Sequence, residues 1–157
     1  MFVDSEILSQ VSIFGAIEKD TLNRIIDQCE EIEYKSGEYI YQENDPATNI
    51  YVILAGKVRL VIHVEDEQLD LIEYGVGESI GETSFIGILQ HSTTAIATEE
   101  TKLLKLNREA MDRLYRHDIN TFTILIMNIA RELARRLHKS KSVIRSLAKI
   151  SKIRSFL

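Results

Sequence analysis

The sequence predicts a mainly β fold, a sandwich or jelly roll, with short helices before it and a long helix after it. Helix-spaced apolar residues at both ends, β-rich runs between them and regularly placed turn residues predict this class. Many short, closely spaced strands favour antiparallel sheets over alternating strand–helix–strand units. The 157 residues are enough for one compact domain, predicted to span residues 1–157.

Residues 4–30 are predicted to form two short helices. Their apolar residues lie three or four positions apart, and the pattern breaks at Phe14 and Gly15. Asp20 is the predicted N-cap of the second helix. Cys29 falls on a predicted helical face and is interpreted as a small core residue, because the acidic residues that follow it would not activate a thiolate.

Residues 32–106 are predicted to form the β region. Strand-like runs occupy residues 32–34, 39–41, 51–54, 58–62, 69–72, 94–97 and 102–106. Turn residues separate these runs, and the only proline, Pro46, falls in one of the turns, where its missing N–H costs nothing. A glycine-rich run at residues 75–87 stands apart, because Glu82–Ile86 within it can wind one helical turn.

Residues 108–157 are predicted to be helical. Asn107 can cap a short helix with Met111, Leu114 and Tyr115 on one side. A long helix follows from about Thr121, with an apolar seam formed by Phe122, Leu125, Ile129, Leu133, Leu137, Ile144, Leu147 and Ile150. A helix of roughly thirty residues is ~45 Å long and extends beyond a small β domain. Its far half is predicted to pair with a second copy in a homodimer; the alternative is a helix that folds back on its own body.

The charges divide the chain into an acidic body and a basic tail. Residues 1–130 hold 10 Lys and Arg against 23 Asp and Glu, and residues 131–157 hold 9 against the single acid Glu132. These counts give −13 and +8, which sum to the net −5. Such a tail occurs in arms that bind nucleic acid or membranes, but a helix with a basic solvent face is the favoured interpretation.

Several classes of function are excluded by residues that the sequence does not supply. A single cysteine excludes an internal disulfide and a cysteine-based zinc or iron–sulfur site, and the four histidines lack ligand spacing. No metal site and no required cofactor is therefore predicted. The sequence also has no nucleophile motif, no secretory signal and no bilayer-spanning apolar run. These features predict a cytoplasmic protein with no enzyme activity and no membrane partner.

The glycine-rich run is the best candidate for a binding site. Gly81 allows close approach of the backbone, and successive N–H groups after it suit an anion such as a phosphate. The carboxylate of Glu82 can accept hydrogen bonds from ribose hydroxyls. The hydroxyls of Ser92, Thr93 and Thr94 precede a strand and can complete a pocket. The alternative is a connecting turn capped by a Ser or Thr.

The order of these features resembles the cyclic nucleotide-binding domain of the catabolite activator protein and FNR superfamily. The similar segments are the opening helices at Val11–Phe14 and Leu22–Ile25, the strands and turns at 36–41, 44–45, 50–58 and 75–78, and a phosphate-binding cassette at 80–86. Together they cover nearly the whole chain. The resemblance implies a double-stranded β-helix (jelly roll) with a C-terminal dimerisation helix.

The resemblance also implies roles for individual residues. In that family the cassette Gly and the residues after it offer backbone N–H groups to the cyclic phosphate, and the Glu binds the ribose 2′-hydroxyl. These roles fall on Gly81, Glu82 and Thr83. Ser140 matches a hydroxyl residue of the dimer helix that meets the purine, although a tolerated small residue on the apolar seam is an equal interpretation.

Ser92 is the clearest departure from the family pattern. The family places there an arginine that pairs with the phosphate, and a serine replaces this bidentate charged contact with one neutral hydrogen bond. The phosphate would then rest on backbone amides and on the Thr93 hydroxyl. His91, if protonated, would supply part of the missing charge.

The predicted function is a dimeric sensor module for a cyclic nucleotide, cAMP or cGMP. Family transcription factors carry a helix-turn-helix domain after the dimer helix, and this sequence ends where that domain would begin. No sequence-specific DNA binding by this chain is therefore expected. Two alternatives stay open. One is a degenerate interaction or scaffold module that binds no nucleotide; the other is a transcription regulator that acts through a partner regulatory protein.

Overall fold

The structure, a computed structural model, describes residues 5–154, and the side chains of residues 7–149. The helices are α1 Ser5–Gln10, α2 Lys19–Ile26, α3 Glu82–Gly87, α4 Arg108–His117 and α5 Ile119–Arg154, with a 3-10 turn at Ser12–Phe14. The strands are β1 Glu30–Tyr34, β2 Tyr39–Tyr41, β3 Asn49–Ala55, β4 Val58–Val64, β5 Glu67–Tyr74, β6 Ser79–Ile80, β7 Thr94–Ala97 and β8 Thr101–Asn107. The limits of the predicted domain at 1–4 and 155–157, and the Ile150 side chain, lie outside the described residues.

The strands form two antiparallel four-stranded sheets. The first sheet has the order β1-β8-β3-β6 and the second has the order β2-β7-β4-β5. Strands distant in sequence are neighbours in both sheets, as β1 and β8 show with their pairing from Glu30–Lys105 to Tyr34–Thr101. The predicted mainly β jelly roll with flanking helices and a long C-terminal helix is confirmed.

β3 packs against both the helices and the second sheet. Ile50, Val52 and Leu54 pack with the helices in one apolar cluster, while Tyr51 and Ile53 belong to a second cluster between the sheets. Successive side chains of a strand point to opposite faces, so β3 is buried on both sides. The first sheet is therefore the middle layer, with helices on one face and the second sheet on the other.

Some local predictions were wrong in detail. The short strand β6, paired with Tyr51 and Val52, was not predicted because two residues are too few to show a periodic pattern. Glu18, not Asp20, occupies the N-cap position of α2. Asp20 lies in the first turn of that helix, where an acid also favours the helix dipole. Strand and helix interiors were predicted well because their periodicity extends over several residues.

Cys29 lies beyond α2 and directly before β1, not on a helical face as predicted. Its Sγ donates to the Ile25 carbonyl at 3.2 Å, and its side chain packs against the cluster on the helix side of the first sheet. Burial raises the pKa of the thiol to about 12, with Arg113 offsetting part of the rise. The interpretation as a small core residue is confirmed.

The junction of α4 and α5 is held by local side-chain bonds. The predicted cap is confirmed, since Asn107 Oδ1 accepts from the Ala110 N–H at 2.8 Å. Of the three residues predicted on one side of α4, Met111 and Leu114 are buried and Tyr115 is 56% exposed. At the start of α5 the Asp118 carboxylate accepts from the backbone N–H of Thr121 at 3.1 Å and from its hydroxyl at 2.7 Å. The long helix therefore begins at Ile119, slightly earlier than predicted.

α5 has a buried first half and an exposed second half. Leu125 and Ile129 are buried in the helix-side cluster, and Asn128 donates to the Ile13 and Gly15 carbonyls at 3.2 and 2.6 Å. From residue 137 to 149 every residue is exposed, so the alternative of a helix folded back on the body is wrong. The helix has 36 residues and a length of about 54 Å. Within residues 5–154, no helix is both long and apolar enough to cross a membrane.

Candidate functional site

Gly81 sets the geometry of the glycine-rich run. It lies between β6 and α3 with a φ of 84°, a conformation that favours glycine. A Cβ at this position would lie 3.0 Å from the Asn49 carbonyl oxygen and 3.5 Å from His91 Cε1. Glycine is therefore required for both conformation and space. The predicted helical turn after it is confirmed as α3, whose first backbone N–H groups have no partner within the helix.

Glu82 is the first residue of α3, and its side chain is almost fully buried, with 1% exposed. Its Oε1 is paired with Arg136 Nη1, whereas its Oε2 is buried without a hydrogen-bond partner in the described part of the chain. Burial raises the pKa of the carboxyl, and the charge of Arg136 offsets part of that rise. The Ser79 hydroxyl, three residues earlier, is also buried without a partner among the described residues. Two buried polar atoms at this site thus lack a hydrogen-bond partner among the described residues.

Arg136 connects α5 to the glycine-rich run. Besides the pairing with Glu82, its Nη2 donates to the Ser79 carbonyl at 2.8 Å and its Nε donates to Glu132 at 3.0 Å. The guanidinium carbon lies 4.7 Å from the centre of the Tyr74 ring. Burial by itself would lower the pKa of Arg136. The nearby Glu82, Tyr74 and Glu132 outweigh this effect, so the pKa of Arg136 is raised. The cation beside the buried carboxylate therefore comes from the long helix.

Residues 91–94 contribute neutral groups next to this site. Ser92 is exposed, Thr93 is half-buried and Thr94 is buried with its hydroxyl accepting from the Glu43 N–H at 3.1 Å. His91 is 5% exposed and stacks on Tyr41 with 3.7 Å between ring centroids. Burial lowers the pKa of His91, although Asp45 offsets part of the effect. This lowered pKa works against the role that was predicted for His91 on condition that its imidazole is protonated.

Acid is expected to destabilise the fold through His91. Its folded-state pKa lies below the ordinary value of about 6.5, so the unfolded chain binds the proton first as the pH falls. The stabilisation is fully present above pH ~6.5 and declines below it. Between pH 7.5 and 5.5, thermal unfolding should show a larger loss in the wild type than in His91→Phe, which keeps an aromatic ring against Tyr41. If the unfolding temperature falls equally in the two proteins, His91 is not the source of the acid sensitivity.

The structure brings some predicted site residues together and leaves others apart. Gly81, Glu82 and the exposed Thr83 are consecutive at the start of α3. Ser140 lies on α5 four residues after Arg136 and donates to the Arg136 carbonyl at 3.0 Å. Because residues four apart share a helix face, Ser140 is on the side of α5 that reaches Glu82. Among the described residues, Ser92 has no hydrogen bond to Glu82 or to Ser140.

Arg108 fixes the other end of α3. Its Nη2 donates to the Phe85 carbonyl at 2.9 Å and to the Ala47 carbonyl at 3.0 Å, and its guanidinium carbon lies 4.3 Å from the Phe85 ring centre. A cation is favourable at the C-terminal end of a helix. Since Arg108 is the first residue of α4, the cassette-like helix α3 is joined directly to the C-terminal helices.

Arg136 is the residue in contact with Glu82 that the sequence prediction missed. Its only sequence signal is its place four residues after Glu132 and four before Ser140, in a helix with many basic residues. The neighbouring Arg135 has the same residue type, but among the described residues it pairs with Glu132 alone, and its side chain is 57% exposed. Nothing local to the sequence tells these two arginines apart. Among the described residues, no three His, Cys, Asp or Glu side chains are grouped to hold a metal ion.

Comparison with known proteins agrees with this architecture. The family model described as cyclic nucleotide-binding domain matches residues 31–118, more than half of the chain. A protein named cyclic AMP receptor protein, from Thermus thermophilus, is 34% identical over 108 residues, which are 68% of this chain and 48% of that protein. The chain thus spans about half the length of this relative.

Two solved structures superpose on this chain over most of its length. The catabolite activator protein of Thermus thermophilus superposes with a TM-score of 0.78 at 28% identity, covering 87% of this chain and 63% of that one. A cyclic nucleotide-binding domain from Methylobacillus flagellatus superposes with a TM-score of 0.80 at 21% identity, covering 88% of this chain and 79% of that one. The second likeness concerns the fold alone.

Proposed function

This chain belongs to the cyclic nucleotide-binding domain family, and we propose that it is a dimeric regulatory sensor for a cyclic nucleotide of the cAMP or cGMP type. The observation that carries the proposal is the buried Glu82 oxygen without a hydrogen-bond donor. Leaving such an atom unpaired is costly, so a ligand hydroxyl that donates to it is favoured. A ribose supplies that donor. The proposal places the protein in the cytoplasm and gives it a regulatory role with no catalytic step.

The phosphate of the ligand is proposed to bind at Gly81 and the start of α3. Backbone N–H groups at the start of α3, among them that of Thr83, would donate to it, and Thr93 would add a hydroxyl. With Ser92 in place of a cation and the pKa of His91 lowered by burial, the phosphate would depend mainly on neutral donors. We therefore expect weaker binding than an arginine at residue 92 would allow.

The long helix is proposed to carry the signal. Arg136 on α5 already contacts Glu82, so a ligand that donates to Glu82 changes the environment of that contact. Ser140 is placed one turn further along α5, on the side that would meet the base of the nucleotide. A ligand shifts an equilibrium only through different contacts in the two states, and this shared contact provides such a difference. The readout would be the packing of α5 in the dimer.

Titration calorimetry with cyclic AMP and cyclic GMP tests the sensor proposal. At least one of them should give saturable heat, and Glu82→Ala should abolish it because the ribose hydroxyl loses its acceptor. The linear nucleotide 5′-AMP serves as the ligand control, since it lacks the cyclic phosphate. Absence of saturable heat with both cyclic nucleotides at millimolar concentration would defeat the sensor proposal and favour an interaction module without nucleotide.

Ser92→Arg is expected to strengthen cyclic nucleotide binding by about tenfold. A charge-assisted contact contributes ~1.5–3 kcal/mol, and the lower end applies because residue 92 is exposed. Ser36→Arg, at another exposed position in a turn, should leave the affinity unchanged. The affinities are measured by the same calorimetry. Weaker binding by Ser92→Arg would mean that the phosphate lies elsewhere.

A further inference from the structure

A cavity away from the glycine-rich run lies between the C-terminal parts of α2 and α4. Its volume is about 550 Å³, within the range that small ligands occupy. Its walls include Arg24, Gln28, Arg113, Leu114, His117 and Asp118. None of these residues belongs to the glycine-rich run or contacts it in the described structure. The cavity is therefore separate from the proposed nucleotide site.

The charge of this cavity is opposite to that of the body around it. Residues 1–130 carry a net charge of −13, yet the cavity is lined by two guanidinium groups against the single carboxylate of Asp118. Asp118 is also occupied, because both its oxygens accept hydrogen bonds from Thr121. A concave, locally cationic surface on an acidic body attracts anions to one place.

Neutral side chains hold the two guanidinium groups in position. Arg113 Nε donates to Gln28 Oε1 at 2.8 Å, and the Gln28 amide in turn donates to the Arg24 carbonyl at 3.3 Å. Arg24 Nη2 donates to the Thr21 hydroxyl at 2.8 Å. Gln28 therefore links the two arginines across the cavity.

The carboxylates nearest to the two arginines do not satisfy them. Asp118 lies 3.8 Å from Arg24 Nη2, and Glu109 lies 3.9 Å from Arg113 Nη1, both beyond normal hydrogen-bond length. Within the described residues, Arg24 Nη1 and Nε and Arg113 Nη2 have no hydrogen-bond partner. Several N–H donors at the cavity are thus free to bind a ligand.

We propose that this cavity binds a small organic anion whose phosphate or carboxylate group is held by Arg24 and Arg113. Guanidinium groups present paired N–H donors that match the oxygens of such groups. Leu114, which is 5% exposed, offers an apolar floor for the uncharged part of the ligand. The bound anion would join α2 to α4 and draw Arg24 away from Asp118, the residue that caps α5.

Phenyl phosphate, which combines a phosphate with an apolar ring, is the probe for this site. In the wild-type chain, titration followed by NMR should shift the Nε–H signals of Arg24 and Arg113 saturably at millimolar concentration. Inorganic phosphate should bind several-fold more weakly because it cannot use Leu114. Benzoate separates the two anion chemistries, and chloride at equal ionic strength controls for screening. If neither phenyl phosphate nor benzoate gives a saturable shift of these signals, the proposal is overturned.

Matched variants locate the binding. Arg24→Gln and Arg113→Gln should each weaken phenyl phosphate binding by about tenfold, whereas Arg59→Gln, at a half-buried arginine outside this cavity that is paired with Asp70, should not. Glu82→Gln should also leave it unchanged, which separates this site from the proposed nucleotide site. If the two arginines only offset the partial charges at the helix ends, their variants will lower the unfolding temperature without affecting phenyl phosphate binding. That outcome, or equal weakening by Arg59→Gln, overturns the proposal.

Discussion

Replacing Arg136 by methionine is expected to destabilise the folded chain by about 3 kcal/mol. Removing one partner of a buried ion pair typically costs ~3–5 kcal/mol, because the remaining charge is left without compensation. The lower end applies here, since Arg136 keeps 22% of its side chain exposed while Glu82 keeps 1%. For a chain of this size the unfolding temperature should fall by roughly 6–12 °C.

Arg135→Met is the matched control for this prediction. It removes the same charge from the adjacent position of α5, but its 57% exposed side chain pairs only with Glu132 at 2.7 Å. Exposed pairs contribute less than about 1 kcal/mol, so its unfolding temperature should stay near that of the wild type. Equal losses in the two variants would contradict the buried pairing with Glu82.

The pH dependence of Arg136→Met gives a second check. Burial already raises the pKa of Glu82, and loss of Arg136 removes the charge that offsets this rise. A carboxyl whose folded pKa is raised binds its proton more tightly in the folded state, so stability falls as the pH rises through that pKa. The loss should therefore be larger at pH 8 than at pH 5. Adding Glu82→Gln, which removes the buried charge, should recover about half of the loss and abolish this difference.

A chain with Ile144→Asp and Leu147→Asp is expected to be monomeric, whereas the wild type is expected to be a dimer. Leu137, Ile144 and Leu147 lie at spacings of seven and three on α5 and are 59%, 63% and 59% exposed in the single chain. Burying a side chain of this size stabilises association by ~1.5–3 kcal/mol, and a buried aspartate reverses that gain. Light scattering at micromolar concentration should show twice the 18.0 kDa chain mass for the wild type and 18.0 kDa for the variant.

Ser142→Asp with Ser146→Asp is the control for the dimer prediction. It adds the same two charges to the exposed half of α5, but on the side of the helix away from the apolar seam. This variant should remain dimeric. A wild type that scatters as a single chain, or a control that dissociates as readily as the seam variant, would contradict a dimer built on this seam.

Periodic and local signals explain the parts of the molecule that could be predicted. The continuous apolar run of β3, the seam of α5 and the cap at Asn107 depend on residues a few positions apart, so they are visible in the sequence. The start of α3 was predicted for the same reason, because Gly81 and the residues after it form one continuous turn. Cys29 and Asp20 were misplaced because helix ends are the least periodic part of an element.

The sequence by itself determined the fold class, the glycine-rich run with an acid after Gly81, and a long C-terminal helix with an apolar seam, whose pairing with a second copy stays a prediction. Only the tertiary structure decided which cation meets that acid, since Arg136 and Glu82 are 54 residues apart and Arg135 is chemically identical to Arg136. It also decided that the pKa of His91 is lowered, because the imidazole is buried against the ring of Tyr41 from β2. Pair contacts and desolvation arise between distant segments, and no local pattern of residue types encodes them.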